Sequence, residues 1–167
     1  MSEIIKYFVE GECEKALINT LKAPPLSLIK PGRVEVFNVI KDKITIPRIA
    51  QLKKESHIIF VYDTDISKTD VLKYNIDMLE QYGFTKIHHI QSVKNLEDEL
   101  LRSTSVKKID DIFNTQGEAE FKHKFINTEN LASKLNNINF DINKIWKQKP
   151  IDKSFLVFTT KILLIEY

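Results

Sequence analysis

Acidic residues follow two apolar stretches of the chain, and their spacing suits the binding of a divalent cation. The first set follows the run IIKYFV and the second follows HIIFVY. The residues are Glu10, Glu12 and Glu14 in the first set and Asp63 and Asp65 in the second. Crowded carboxylates repel one another and take up protons unless a cation neutralises them, and Mg²⁺ prefers carboxylate oxygens. The two sets therefore indicate a magnesium or manganese site.

A carboxylate site of this kind is suited to phosphoryl transfer. Two ions about 4 Å apart can activate a water and stabilise the leaving oxygen when a phosphodiester is cleaved. Each set alone also fits a solvent-exposed turn or the acidic start of a helix, because Asp favours turns and acids favour helix N-termini. The residues by themselves leave both interpretations open.

The elements that must position these acids alternate between strand and helix. Apolar runs at 4–9, 34–40, 57–62 and 86–93 predict strands. Strands joined by helices form parallel sheets, whose ligands bind at the carboxyl ends of the strands. We therefore expect Glu10, Asp63 and Asp65 at one edge of the sheet. Gly11 permits a sharp turn, and Glu14 in the following helix can point back toward Glu10.

Helix signals separate the predicted strands. Helices are predicted after Gly11, from Pro47, over 71–82 and after Asn95, which is placed to cap the last of them. Beyond residue 103, helical patches begin near Thr128 and Asp141, and the final apolar run FLVFTTKILLIEY predicts one strand or two short ones. We predict an α/β protein with a mainly parallel sheet flanked by helices at 1–103 and a helical extension at 104–167 packed on the same domain.

The two acidic motifs, in this order and each after an apolar strand, resemble the Toprim family. The family pattern is Glu-Gly after the first strand and Asp-x-Asp after a later one, here Glu10-Gly11 and Asp63-Thr64-Asp65. The form VEGECE is similar to the Glu-Gly-x-x-Glu variant of OLD-type nucleases and to the start of RloB-like defence-associated proteins. The resemblance covers residues 4–100.

This resemblance implies a Toprim-like Rossmannoid fold, a Mg²⁺ or Mn²⁺ cofactor and cleavage of DNA or RNA in a phage-defence or DNA-processing system. It gives catalytic roles to Glu10, Asp63 and Asp65, which would also bind metal together with Glu14.

The third acidic position of OLD-type sites is not obvious in this chain. Glu97 and Glu99 in NLEDEL are the candidates, and we favour Glu97 as a metal ligand. A charged helix face capped by Asn95 explains both residues without any metal.

Lysines beside aromatic residues are the candidates for contacts with nucleic acid. A nuclease site needs a cation near the transition-state charge, and the candidates are Lys94, Lys122 and Lys124. The last two interleave with phenylalanines in EFKHKFI, and further lysines surround Trp146 in KIWKQKPIDK. Amphipathic segments that pack their aromatic residues inward would give the same patterns.

The composition limits the classes of protein that fit. The chain has 167 residues, 43% of them hydrophobic and 29% charged, which predicts one globular domain rather than disorder. A net charge of +2 gives no global field for nucleic acid. No apolar run is long enough for a membrane span, so we expect no membrane partner. The single Cys13 cannot form an internal disulfide, which indicates a reducing compartment and predicts a cytoplasmic protein.

The sequence also fits other functions. A catalytically weak or inactive Toprim module could bind metal or nucleic acid and support a partner ATPase, and a homo-oligomer is left open. A nucleotide-sugar enzyme that uses Asp-x-Asp fits less well, because the chain is short and a Glu-Gly motif comes first. His88 and His89 are adjacent in a strand and face opposite sides, so they cannot chelate one ion together.

Overall fold

The computed structural model describes residues 3–165, in which strands and helices alternate up to residue 103. The strands are β1 (Ile5–Val9), β2 (Arg33–Val36), β3 (His57–Asp63) and β4 (Ile87–Ser92). The helices are α1 (Glu12–Lys22), α2 (Ile46–Ala50), α3 (Asp70–Gln81), α4 (Leu96–Ser103), α5 (Glu118–Asn127) and α6 (Leu131–Asn137), with 3₁₀ helices at Ile109–Ile112 and Lys153–Phe155. Within residues 3–165, no helix is both long enough and apolar enough to cross a membrane.

The four strands form one sheet in the order β2-β1-β3-β4, and each neighbouring pair is parallel. The prediction of an α/β protein with a parallel sheet flanked by helices is confirmed. The central strands β1 and β3 are almost entirely apolar, as expected for parallel strands covered on both faces. Val9 lies opposite Val61, so the residues that follow these two strands begin side by side.

Alternate residues of the central strands enter two cores, one on each face of the sheet. Tyr7 and Val9 belong to the first core, which α1 covers together with Phe121 of α5. Phe8 belongs to the second core, where its ring lies 6.1 Å from that of Phe60. Helix α3 packs against this second core. The sheet is therefore fixed from both sides.

The residues after 103 share these two cores. Phe125 of α5, Leu135 of α6 and Trp146 are buried in the first core beside α1. Phe155 is fully buried in the second core, on the other face of the sheet. The C-terminal extension therefore reaches around the edge of the sheet and contributes apolar side chains to both faces.

The second strand is shorter than its apolar pattern predicts. It ends at Val36 rather than at residue 40. Asn38 turns the chain there, because its Oδ1 accepts hydrogen bonds from the backbone N–H groups of Ile40 and Lys41 at 3.0 and 3.1 Å. Such Asx turns compete with strand pairing. The apolar residues beyond Asn38 are buried in the second core from a loop instead.

Three helix predictions also need correction. The helix predicted from Pro47 occupies only Ile46–Ala50. The helix expected from Thr128 begins after Asn130, whose side chain accepts the N–H of Ser133 at 3.0 Å and forms the cap. Residues 141–146 form a turn rather than a helix, whereas the predicted Asn95 cap of α4 is confirmed by its bond from the N–H of Asp98.

The final apolar run forms no named strand within the described residues, and residues 166 and 167 of that run lie outside them. It makes two isolated bridges, one at Thr160 and one at Leu164. Near the first bridge, Lys161 donates its backbone N–H to the carbonyl of His89 at 2.8 Å, along the outer edge of β4. The opposite edge of the sheet is the four-residue strand β2.

Candidate functional site

A polar side chain lies at or just beyond the carboxyl end of each of the four strands. Glu10 follows β1, Asn38 lies just after β2, and Asp63 and Ser92 are the last residues of β3 and β4. Asp63 lies opposite Ser92 in the sheet. Because parallel strands end at the same edge, residues distant in sequence meet there.

Glu10 is held in place by hydrogen bonds from both neighbouring strand ends. Its Oε2 accepts the backbone N–H of Asp63 at 2.9 Å, and its Oε1 accepts Nδ2 of Asn38 at 3.1 Å. Asn38 is itself fixed by the turn that ends β2. The carboxylate of Glu10 therefore bridges the ends of β2 and β3, and its orientation is determined by the fold.

Glu14 points back over the turn that links β1 to α1. A methyl group added at Gly11 would stand 3.0 Å from Oε2 of Glu14, so a larger residue there would displace this carboxylate. Glu14 is buried, and burial raises its pKa, with the negative charges of Glu10 and Glu97 adding to the shift. Gly11 has an extended backbone that any residue can adopt, so its contribution is the space that it leaves for Glu14.

Asp63 carries the largest electrostatic perturbation of the candidate site. Burial raises the pKa of its carboxyl to about 9, and the negative charges of Glu14, Glu10 and Asp65 act in the same direction. A hydrogen bond with the Ser92 side chain opposes the shift. One oxygen, Oδ1, is buried and has no hydrogen-bond partner among the described residues. Without a cation, Asp63 is a protonated acid at neutral pH.

Glu97 and Lys122 complete a surface cavity of about 270 Å³ that Glu10, Glu14 and Asp63 also line. Lys122 Nζ lies 3.4 Å from Glu97 Oε1 and also pairs with Glu118. Hydrogen bonding to Glu118, together with the charge of Glu97, raises the pKa of Lys122. This lysine is thus a resident positive charge beside the carboxylates.

The structure brings four of the five predicted acidic residues into the cavity and leaves one outside it. Glu10, Glu14, Asp63 and Glu97 share the cavity, whereas Asp65 is exposed on the loop after β3 and does not line it. Thr64 turns away at this point, because its N–H and hydroxyl both bond to the carbonyl of Ser92. The expectation that Asp63 and Asp65 face one site needs this correction, since the chain is no longer extended beyond Asp63.

Glu99, the alternative to Glu97, has a structural role. It is completely buried and accepts the backbone N–H groups of Val93 and Trp146 at 2.9 and 2.8 Å. Arg102 pairs with it at 2.7 Å. Both oxygens of the buried carboxylate are bonded and hold α4 to the residue after β4 and to the 146 loop, and Glu99 does not line the cavity.

The donor set in the cavity has the chemistry that Mg²⁺ or Mn²⁺ requires. Carboxylate oxygens are the preferred ligands of hard cations, and the unpartnered Oδ1 of Asp63 is a buried acceptor that lacks a positive partner. As the side chains stand, no group of three histidine, cysteine, aspartate or glutamate residues within 3–165 is arranged to hold a metal ion. The residues are thus of the kind that binds a hard cation, although their side chains as placed within 3–165 do not surround a common point.

Of the three lysines predicted to contact nucleic acid, one lines the cavity and two do not. Lys122 lines the cavity. Lys124 pairs with Glu120 at 3.3 Å, and Lys94 lies 3.9 Å from Asp98. Neither of these two lines the cavity, so only Lys122 lies beside the carboxylates.

Cys13 and the two histidines do not enter the chemistry. Cys13 is buried, and burial together with the charges of Glu14 and Glu97 raises its pKa to about 12, which keeps it an unreactive thiol. His88 stacks on His57 with ring centroids 5.2 Å apart, whereas His89 is buried against Tyr62 with its Nδ1 3.0 Å from the hydroxyl. The prediction that they face opposite sides is confirmed.

Two site residues are absent from the sequence-based prediction, Asn38 and Ser92. Both lie at or just after the carboxyl end of a parallel strand, as Glu10 and Asp63 do. Ser92 could have been found by applying that rule to β4. Asn38 could not, because the apolar pattern 34–40 placed it inside a strand.

Comparison with known protein families, curated proteins and solved structures finds no match to this chain. The parallel sheet and the geometry at its carboxyl edge therefore carry the functional interpretation.

Proposed function

We propose that this chain is a Toprim-type nuclease that uses Mg²⁺ or Mn²⁺ to cleave DNA or RNA, in a phage-defence or DNA-processing system. The observation that carries the proposal is the meeting of Glu10, Glu14 and Asp63 at the carboxyl edge of the sheet, with one buried oxygen of Asp63 unpartnered. Buried acids without a counter-charge destabilise a fold, and functional sites are where such arrangements persist.

The order of the motifs along the chain supports the Toprim assignment. Glu10-Gly11 follows β1, and Asp63-Thr64-Asp65 begins at the end of β3. These two strands are neighbours in the sheet, although about fifty residues separate the motifs. A fold that brings a Glu-Gly turn beside an Asp-x-Asp turn is what the resemblance requires.

The side chains around the cavity have separate roles in this proposal. A bound divalent cation would supply an activated water and charge stabilisation for the leaving oxygen. Asn38 orients Glu10, and Gly11 leaves room for Glu14. Lys122 holds Glu97 until a substrate phosphate arrives and then places a positive charge where negative charge develops. Asp65 is exposed on the adjacent loop, outside the cavity, and has no assigned role in this arrangement.

The proposal is tested with purified protein on single- and double-stranded DNA and RNA, in Mn²⁺, in Mg²⁺ and in chelator. We expect cleavage that needs the metal and is lost in Glu10→Gln, because a displaced ligand misaligns the reacting groups. Glu80→Gln is the matched control, since Glu80 is exposed on α3 and remote from the cavity. Metal-dependent cleavage that survives Glu10→Gln unchanged would exclude a nuclease centre at this edge of the sheet.

A supporting module for a partner ATPase is the second candidate. It is favoured by one observation, that the carboxylates as placed in residues 3–165 do not surround a common point. The same Glu10→Gln variant separates the two candidates when it is assayed in a complex containing the partner. Unchanged activity of that complex assigns the chemistry to the partner and leaves this chain a supporting role.

A further inference from the structure

A second cavity lies outside β4, between that edge strand and the C-terminal segment. Its volume is about 480 Å³, within the range of sites that bind small molecules or parts of larger ones. Gln91 of β4 lines it on one side, and residues of the 146–150 loop and of the 156–164 segment line the others. None of the cavity's residues belongs to the carboxylate site.

Hydrogen bonds fix the inner wall of this cavity. Gln91 is 1% exposed, and its Nε2 donates to the hydroxyl of Tyr62 and to the carbonyl of Phe155 at 3.1 and 3.0 Å. Trp146 is 2% exposed, and its Nε1 donates to the Ser92 hydroxyl at 3.3 Å. A wall held this way is preformed, so a ligand would not need to order it.

The outer rim of the cavity is positively charged. Lys147 and Lys149 line the cavity and are exposed, and neither forms an ion pair with any residue from 3 to 165. In contrast, Lys122 and Lys124 on α5 are paired with glutamates. Residues 141–165 contain five lysines and two aspartates. Lys147 and Lys149 therefore place two unpaired positive charges on this rim.

The rim also carries an aromatic ring and hydroxyl groups. Phe158 is half-buried and stacks on His89 with centroids 4.9 Å apart, which fixes its ring. Thr159 and Thr160 lie beside it in the cavity lining. Trp146, which the sequence suggested for base stacking, is buried and has no free face. Phe158 takes its place as the ring that a base can contact.

We propose that this cavity binds single-stranded nucleic acid, with one base entering against Phe158 and the neighbouring phosphates contacting Lys147 and Lys149. A fixed aromatic ring beside unpaired cations is the combination that holds single strands without sequence preference. A duplex does not fit, because its bases are stacked and paired and cannot enter a cavity singly.

This inference rests on the proposed nuclease function and defines its substrate as a single strand. Buried hydrogen bonds link the wall of this cavity to the carboxylates, because Trp146 bonds to Ser92 and Ser92 to Asp63. A strand bound along the outer edge of β4 is therefore held one strand away from β3, at whose end cleavage is proposed.

The experiment uses the only tryptophan of the chain as its reporter, since Trp146 forms part of the cavity wall. An oligothymidylate of about twelve nucleotides is titrated into the full chain in chelator, where no metal-dependent cleavage occurs, and tryptophan fluorescence is followed at several salt concentrations. We expect a saturable change. The double variant Lys147→Ala/Lys149→Ala should bind at least about tenfold more weakly, and its salt slope should fall by about 1.4, for two lost phosphate contacts.

Two further variants make the result specific. Lys53→Ala/Lys54→Ala removes the same charge from an exposed loop away from this cavity and should leave binding nearly unchanged. Phe158→Leu keeps an apolar side chain but should weaken binding about five- to a hundredfold through lost stacking. Equal losses in the two lysine double variants, or no loss in Phe158→Leu, would overturn the proposed site.

Two more outcomes decide the identity of the ligand. Thymidine monophosphate should bind far more weakly than the oligonucleotide, and equal affinity would replace the strand with a mononucleotide as the occupant. Absence of saturable binding, measured by tryptophan fluorescence and by the anisotropy of an end-labelled oligothymidylate, overturns the inference. Because the binding assay needs no metal, its failure is distinct from a failure of the nuclease proposal, which the Glu10→Gln cleavage assay decides separately.

Discussion

Replacing Asp63 with asparagine should stabilise the cation-free protein. The pKa of Asp63 is raised from 3.8 in the unfolded chain to about 9 in the folded protein, first by burial and then by Glu14 and Glu10. A raised pKa contributes stability that is fully present below pH 3.8 and is lost progressively as the pH rises toward 9. At neutral pH, folding must therefore protonate this carboxyl, and Asp63→Asn removes that requirement.

The expected gain follows from the size of this pKa difference. A pH of about 7.5 is about 3.7 units above the pKa of this carboxyl in the unfolded chain. This difference corresponds to at most about 5 kcal/mol of unfolding free energy. The hydrogen bond with Ser92 opposes the shift, so we expect a smaller gain of about 1–3 kcal/mol. For a chain of 167 residues this raises the melting temperature by about 3–10 °C.

The measurement is thermal unfolding in chelator across the pH range, with Asp77→Asn as the control because Asp77 is an exposed carboxylate on α3. The gain of Asp63→Asn should shrink on acidification and vanish as the pH falls below 3.8, where Asp63 becomes protonated in both states. Added Mn²⁺ should stabilise wild type, by about 2.7 kcal/mol at a hundredfold excess over its dissociation constant, and leave the variant unchanged. A variant that melts below wild type at pH 7.5 in chelator would refute this account of the site's charge.

Two further substitutions test the assignment of the neighbouring residues. Glu99→Gln should lower the unfolding free energy measured by urea denaturation by about 2–4 kcal/mol, because Glu99 is buried and bonded to Arg102. Glu97→Gln should change the unfolding free energy by less than about 0.5 kcal/mol. Equal losses in the two variants would contradict the separate roles of these residues. Gly11→Ala should displace the Glu14 carboxylate, which lies 3.0 Å from the added methyl group, and weaken Mn²⁺ binding by calorimetry about tenfold with unchanged helical circular dichroism. Unaltered affinity would remove Glu14 from the metal ligands.

The sheet could be predicted because its central strands are covered on both faces. Every residue of a strand such as β1 must then be apolar or have an apolar stem, and such a run is visible without knowing its partners. β2 lies at an edge and is less constrained, so its end at Asn38 depended on a side-chain turn that the apolar pattern concealed.

The candidate site was only partly predictable for a related reason. Glu10 and Asp63 carry charge at strand ends and can be recognised from that alone. Glu97 and Glu99 lie two residues apart on one helix and face different ways. Which of them lines the cavity depends on which face of α4 packs against Trp146. That contact joins residues 47 positions apart, so local spacing could not supply it.

The strand predicted for the final apolar run is absent from 155–165, because tertiary contacts determine the conformation of this segment. Its apolar composition is typical of a strand, yet Phe155 enters the second core and Phe158 stacks on His89. Side chains anchored one by one in this way prevent the regular pairing that a strand requires. Propensity therefore yields to contacts with residues more than sixty positions earlier.

The two edges of the sheet also bear on how copies of this chain can associate. An open edge strand presents unpaired N–H and C=O groups that recruit further strands and lead to fibrils or to dimers built by sheet extension. Here Lys161 and Thr160 occupy backbone groups of His89 and Gln91 on the β4 side. On the other side β2 is four residues long and carries Arg33 and Glu35. Both edges are blunted against strand addition, so sheet extension is not the route by which we expect copies of this protein to associate.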